Sequence, residues 1–226
     1  MPRPRRILIT GASSGIGLEA AAQLMRAGHR LTLPCRDPQR AAATTARLAP
    51  RLGAEAGSGP EPELPVCDLA DLESVNRCAN DLLRRGEPID TLVLNAGLQY
   101  TGARQPRRSA QGHELTLAVN HLAHQLLAVR LLPLLQAGRE PRVVVTASEV
   151  HDPSSPGGRV GRPAGLGDLG GLRQGPGFAM VDGRLPFDAD KAYKDSKLCN
   201  LLFARRLQQR LQEQGHAWPV IAWSPG

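Results

Sequence analysis

Aromatic residues and lysine are scarce in this sequence. Seven aromatics (three Phe, two Tyr and two Trp) occur among 226 residues, and they leave little interleaving that could stack nucleic-acid bases. Of 28 cationic side chains only Lys191, Lys194 and Lys197 are lysines, all within seven residues, and the 25 arginines are spread along the chain. The formal net charge of +7 therefore comes without a basic helix. It reads as general solubility, and no nucleic-acid partner is expected. Long apolar runs are missing too. Met1-Pro-Arg-Pro-Arg-Arg6 leads into only Ile7 to Ile9, well short of the ~7–15 apolar residues of a signal peptide. The most apolar helical stretch, Leu126 to Leu135, is broken by Arg130 and Pro133, and a membrane span needs about 20 residues. The expectation is a cytoplasmic chain with no integral membrane segment. Cys35, Cys67, Cys78 and Cys199 form no CxxC pair, so reduced, mostly buried thiols are expected in place of a disulfide or a metal site. No internal repeat is visible.

What is present is ordinary globular material, 41% hydrophobic and 22% charged, in a length that suits one domain with a real core. Short apolar runs alternate with longer helical patterns. Strands are expected at Arg6–Thr10, Arg30–Leu33, Glu63–Cys67, Ile89–Asn95, Arg142–Ala147 and Val220–Trp223. Helices are expected at about 15–28, 38–49, 71–85, 110–136 and 189–214. Runs such as Leu92-Val-Leu94 and Val143-Val-Val145 are continuously apolar, as strands covered on both faces require. The alternation implies an α/β fold, a doubly wound parallel sheet with helices on both faces. Residues 50–62 read as a flexible surface loop. Residues 153–177 hold nine Gly and four Pro among 25, too many for a helix or a central strand. This segment follows the fifth expected strand at the carboxyl edge of the sheet, where ligands bind in such folds. It is expected to be a loop on the substrate side, a plain linker being the alternative. A single domain over residues 1–226 is expected.

Three groups of residues carry chemistry. Thr10-Gly11-Ala12-Ser13-Ser14-Gly15-Ile16-Gly17 joins the first strand to the first helix. There backbone N–H groups and a helix N-terminus can hold a pyrophosphate; a plain Gly-rich packing turn is the bland alternative. At the end of the second strand Arg36 stands where an acid would bind the ribose of NAD. An arginine there suits a 2′-phosphate, so NADP(H) is expected. Asp37 reads equally as a cap for the helix that Pro38 begins. Tyr193 and Lys197 are four apart, hence on one face of the last helix. A nearby ammonium favours the phenolate of a group whose pKa is normally about 10, making it a usable acid or base. Lysine is a compact charge with a tunable pKa that arginine does not replace. His121 and His124 lack an accompanying Cys or carboxylate cluster, so solvated or core-edge roles are expected over metal ligation, and no metal site is foreseen. Trp218 and Trp223 are expected to pack.

These residues, in this order along essentially the whole chain, resemble the short-chain dehydrogenase/reductase family. The resemblance implies a Rossmann domain in which Gly11, Ser13, Ser14, Gly15, Ile16 and Gly17 form the cofactor loop. Arg36, Asp68, Leu69 and the Asn95-Ala96-Gly97 motif would complete the cofactor site together with Tyr193 and Lys197. It makes Asn120, Ser148, Tyr193 and Lys197 the catalytic set. Tyr193 would transfer the proton, Lys197 would lower its pKa and bind the nicotinamide ribose, Ser148 would orient the reacting oxygen, and Asn120 would hold a relay water. Ser148 could otherwise be an ordinary strand-end serine. Cys35-Arg36, Asn120-His-Leu-Ala-His124, Gly167-Asp168-Leu169 and Tyr193-Lys-Asp-Ser-Lys-Leu-Cys-Asn200 resemble retinol dehydrogenases and, more closely, light-dependent protochlorophyllide reductases. The Asn95-Ala96-Gly97 wording keeps the general family form.

The expectation is thus an NADPH-dependent oxidoreductase acting on the carbonyl or alcohol of an apolar, retinoid-like or aldehyde/ketone substrate. The alternatives are reduction of a double bond in the manner of the protochlorophyllide enzymes, and a non-catalytic NADPH-binding protein. Homo-oligomers are an option left open. Relatives continue for tens of residues after the Pro-Gly that Pro225-Gly226 resembles, so a chain truncated after its sixth strand is also expected.

Overall fold

The structure, a computed structural model, describes residues 3–53 and 60–225. Its centre is a parallel five-stranded sheet in the order β2-β1-β3-β4-β5. The strands are β1 (Arg6–Ile9), β2 (Arg30–Thr32), β3 (Thr91–Leu94), β4 (Arg142–Thr146) and β5 (Val220–Trp223). In register, Leu8 lies beside Leu92, Leu92 beside Val143, and Val143 beside Val220. The reversal of strand order between β1 and β3 places the crevice of the fold at their carboxyl ends.

Glu63–Cys67, expected as a strand, is not one. It runs parallel to β2 through two isolated bridges, Thr32 to Glu63 and Cys35 to Val66. The reason is local. Glu63 and Cys67 donate their N–H groups to Leu31 and Cys35, but Pro65 between them has no N–H to give, so the ladder is broken in its middle. Residues 54–59 of the expected 50–62 loop lie outside the described residues, and residues up to Leu52 belong to a helix.

α1 (Gly15–Arg26) and α2 (Pro38–Leu52) cover one face of the sheet. Ile7, Ile9, Leu31 and Leu33 pack there with Leu18, Ala21, Ala22 and Leu48. α3 (Leu72–Arg85), α5 (Ala123–Gln136) and α8 (Ala189–Glu213) cover the other face. Leu8, Leu92, Leu94, Val143 and Val145 meet Val75, Leu127, Leu131, Leu135 and Leu207 in that larger core. Alternate residues of β1 therefore serve opposite layers, as a strand buried on both sides requires. The cap reading of Asp37 holds, since it accepts Arg40 N–H at 2.6 Å; in the structure Asp71 and Asp188 start α3 and α8 likewise.

The expected 110–136 helix begins later, because Glu114 caps it by accepting the N–H groups of Thr116 and Leu117. It is built as α4 (Leu115–Leu117), a π turn (Ala118–Leu122) and α5. Among the described residues this is the one helix long and apolar enough to cross a membrane. Its Leu127, Leu131 and Leu135 side chains are fully buried in the core of the sheet. Segment 153–177 also departs from expectation by containing two single helical turns, α6 (Pro156–Arg159) and α7 (Gly170–Arg173). Ser155 caps the first from ahead of Pro156, which suffices for one turn in a Gly-rich stretch.

Candidate active site

The Gly-rich turn, the Asn95 motif and the end of β4 converge at the carboxyl edge of the sheet. Gly11 has a φ of +72°, and a Cβ there would lie 2.7 Å from Ala96 Cα. At Gly17 a Cβ would come within 2.6 Å of Asn95 Nδ2 and closer still to Gly11 O. Glycine at these two positions therefore lets α1 start directly under the turn. Ser14, Gly15 and Ile16 are exposed at that helix N-terminus. Ser14 makes no capping bond, so the first N–H groups of α1 are left for a ligand. From α2, Arg47 Nη1 reaches across to donate to Ser13 O at 2.8 Å.

Thr10 ties this turn to the Asn95 motif. Its Oγ1 accepts the N–H groups of Asn95 at 2.9 Å and Ala96 at 3.1 Å. Asn95 Nδ2 donates back to Thr10 O at 3.1 Å. A third partner of the Thr10 hydroxyl is His124 Nε2 at 2.8 Å, while His124 Nδ1 lies 3.1 Å from Asn120 O. A carbonyl only accepts, so Nδ1 carries the proton and Nε2 accepts from Thr10. Burial holds the His124 pKa down at about 3, so the imidazole is neutral. One ring thus joins the cofactor turn to the helix bearing Asn120. Neither His121, which meets Asn200 Oδ1 at 3.1 Å, nor His124 belongs to a metal-ligating cluster among the described residues. The solvated or core-edge places expected of both histidines miss the fully buried position of His124 and its link to Thr10. The four-residue spacing of Asn120 and His124 on one helical face was the available signal.

Asn120 itself is fully buried and its amide is engaged at both ends. Oδ1 accepts Leu98 N–H at 2.8 Å, and Nδ2 donates to Leu98 O at 3.0 Å and Ser196 Oγ at 3.1 Å. The side chain holds the Asn95–Leu98 segment against α8, and of its amide only the second lone pair of Oδ1 remains for the relay water expected of it. Gly97 sits above this clamp, near Asn120 Oδ1 and Lys197 Nζ.

From α8, Tyr193 and Lys197 emerge on one face as their spacing requires. Lys197 is 3% exposed, donates to Thr146 O at 3.1 Å, and lies 5.4 Å from the centre of the Tyr193 ring. Burial lowers its pKa to about 8. The Tyr193 phenol is pushed upward by burial, and a hydrogen bond with Ser148 pulls the other way. Ser148 thus favours the phenolate, and the Lys197 ammonium lies beside the same ring. Ser148 precedes a 3-10 turn (Glu149–His151) without spending its hydroxyl on a cap, so that hydroxyl faces the site. Thr146 is the hub beneath. Its carbonyl also takes Asn200 Nδ2 at 3.3 Å, and its hydroxyl bonds Asn95 Oδ1 at 3.5 Å and Trp223 Nε1 at 3.2 Å.

The remaining candidates lie farther out. Arg36 is 60% exposed on its side chain and pairs with Asp37 at 3.3 Å, free to turn toward a ligand at the end of β2. Asp68 Oδ1 is occupied by Ala70 N–H at 2.9 Å. Leu69 packs toward the core, which leaves its backbone alone for a ligand. The four cysteines are unpaired, three of them buried. Trp218 packs against the core.

A profile of the short chain dehydrogenase family matches residues 5–160. Over 215 residues the chain is 42% identical to a chloroplastic protochlorophyllide reductase A of Oryza sativa subsp. japonica, covering 92% of this chain and 54% of that protein. A protochlorophyllide reductase of Avena sativa is 40% identical, covering 92% of this chain and 66% of its own length. A solved short-chain dehydrogenase from Sphingobium yanoikuyae, in complex with NADPH, superimposes with a TM-score of 0.62 at 26% identity, over 98% of this chain and 71% of that one. The chain belongs to the short-chain dehydrogenase family, on the branch that resembles protochlorophyllide reductases. It spans about half the length of the rice relative it matches.

Proposed function

We propose that the chain binds NADPH along the carboxyl edge of the sheet and transfers its hydride to the carbonyl of an apolar substrate, or takes one from the alcohol. The observation that carries this reading is the convergence of Tyr193, Ser148 and buried Lys197 beside the glycine turn and the Asn95 motif. NADPH supplies the hydride when bound; the protein supplies position and a proton. The turn from Gly11 to Gly17 (Gly11, Ser13, Ser14, Gly15, Ile16, Gly17) would hold the pyrophosphate, Arg36 the 2′-phosphate, and Asp68 and Leu69 the adenine end. Asn95, Ala96 and Gly97 would line the way to the nicotinamide. Tyr193 would give the proton to the developing alkoxide while Ser148 holds the reacting oxygen. Lys197, facing the nicotinamide ribose, would add its charge beside the phenol. Asn120 would serve by holding the Leu98 backbone. The 153–177 segment would form the wall on the substrate side.

A second reading, reduction of a double bond in a protochlorophyllide-like pigment, is favoured by the 42% identity to the rice reductase. The same proton donor would then serve a ring carbon. NADPH oxidation with all-trans-retinal in the dark, and with protochlorophyllide in the dark and under a light flash, separates the two. Turnover of retinal in the dark supports the carbonyl reading. Conversion of the pigment only in light replaces it with the second, and turnover of neither leaves a nucleotide-binding protein. In the same assay NADPH should bind at least tenfold tighter than NADH, about 1.4 kcal/mol, and Arg36→Asp should narrow that gap. Equal affinities in the unaltered chain would remove Arg36 from the site.

A further inference from the structure

Two of the three lysines have no part in the hydride-transfer site, yet they are as buried as Lys197. Lys194 is 4% exposed, and its Nζ donates to Gly158 O at 3.1 Å, Arg162 O at 3.1 Å, and Val160 O. Three carbonyls take the three protons of one ammonium. Lys191 is 5% exposed and donates to Gly165 O at 2.7 Å and Asp195 Oδ2 at 2.6 Å, with Asp182 Oδ2 at 3.1 Å. Asp195 closes the ring by accepting Gly165 N–H at 2.9 Å through its other oxygen. A guanidinium spreads its five donors in a flat fork and cannot converge on such a cage. That is a physical reason for lysine at these positions in a chain that otherwise uses arginine.

The far half of the same segment is tied by other means. Leu166, Leu169 and Leu172 pack with Phe178 and Val181 against Leu117, and Arg108 donates to Gly177 O at 2.8 Å and to Phe178 O. Lifting residues 158–165 away would strip four hydrogen bonds from the two ammonium groups and take the Gly165 N–H from buried Asp195. Charge-assisted bonds of this kind are the strong ones.

We propose that Lys191 and Lys194 are positioning residues that hold residues 158–165 as a fixed wall next to Tyr193. The wall limits which acceptor reaches the phenol and does not open and close as a lid. The proposal deepens the reading of Tyr193 as the proton donor and rests on it.

Limited digestion with trypsin, read by mass at the Arg159–Val160 bond, tests the clamp without any substrate. The unaltered chain should resist cutting there equally with and without NADPH. Lys194→Met should be cut there at least tenfold faster while its NADPH dissociation constant stays within twofold. Lys194→Arg should not restore resistance, although it keeps the charge. Of retinal and protochlorophyllide, whichever is reduced should show a KM raised at least fivefold in Lys194→Met, with kcat changed less. Ready cutting that NADPH suppresses would show a lid and overturn the proposal. So would a Lys194→Met chain cut no faster, or a Lys194→Arg chain as resistant as the unaltered one. If Lys194→Met does not fold, the unaltered chain with and without NADPH, and Lys194→Arg, still decide the matter. If neither probe is reduced, the hydride-transfer reading falls while the digestion still judges the clamp.

Discussion

At the scale of single residues, the site is organised by groups that cannot all be charged. His124 is neutral because burial holds its pKa at about 3, against about 6.5 for a free imidazole. In the unfolded chain it takes up a proton below pH 6.5, and in the folded chain it does not. The unfolded state then binds more protons, so stability falls as pH drops from 6.5 toward 3. Urea unfolding at pH 7 and pH 5 should show a loss of about 2 kcal/mol from this residue. That increment should be missing in His124→Gln, which keeps one donor and one acceptor; His121 is half-buried and common to both proteins. Equal losses would mean that His124 does not stay neutral. Burial lowers the Lys197 pKa as well, but leaves it charged at neutral pH. With a folded pKa of about 8 its charge is present below pH 8 and lost above it. NADPH affinity should weaken as pH rises through 8, and titrations of Lys197→Met should be flat over the same range. A pH-independent affinity in the unaltered chain would exclude the ammonium from the cofactor site.

At the scale of elements, the glycine turn and the strand–helix alternation were legible because each depends on local spacing. The Tyr193–Lys197 pair was legible for the same reason, four residues making one face. Glu63–Cys67 was overread because an apolar run says nothing about the hydrogen-bond ladder, and Pro65 removes one rung of it. The π turn at Ala118–Leu122 was invisible, since one widened turn hardly alters hydrophobic periodicity. The roles of His124 and Lys194 were hidden because their partners, Thr10 and residues 158–162, are 114 and 32–36 positions away. The resemblance named Asn120 but not its work, which is fixed by Leu98 and Ser196. The junction of α1 with the Asn95 motif gives the element-scale prediction. Gly17→Ala must push a methyl into Gly11 O and Asn95 Nδ2. Overpacking of this kind costs about 1–3 kcal/mol, so thermal melting should fall and NADPH binding should weaken with it. Unchanged melting and binding would mean that the turn adapts without cost.

At the scale of the molecule, one parallel sheet brings residues from Thr10 to Lys197 to a single edge. The helices behind it, α3, α5 and α8, hold that edge rigid through a shared core. Thr146, at the end of β4, gathers Lys197, Asn200, Asn95 and Trp223 around one residue. The central claim is that this edge binds NADPH and that Tyr193 supplies the proton accompanying its hydride. Tyr193→Phe tests it most directly, since it removes the phenol hydroxyl and keeps the ring. Measured side by side with the unaltered chain, NADPH affinity should survive while turnover of the accepted substrate falls roughly 10²–10⁴-fold. Turnover retained within a factor of two would contradict the account.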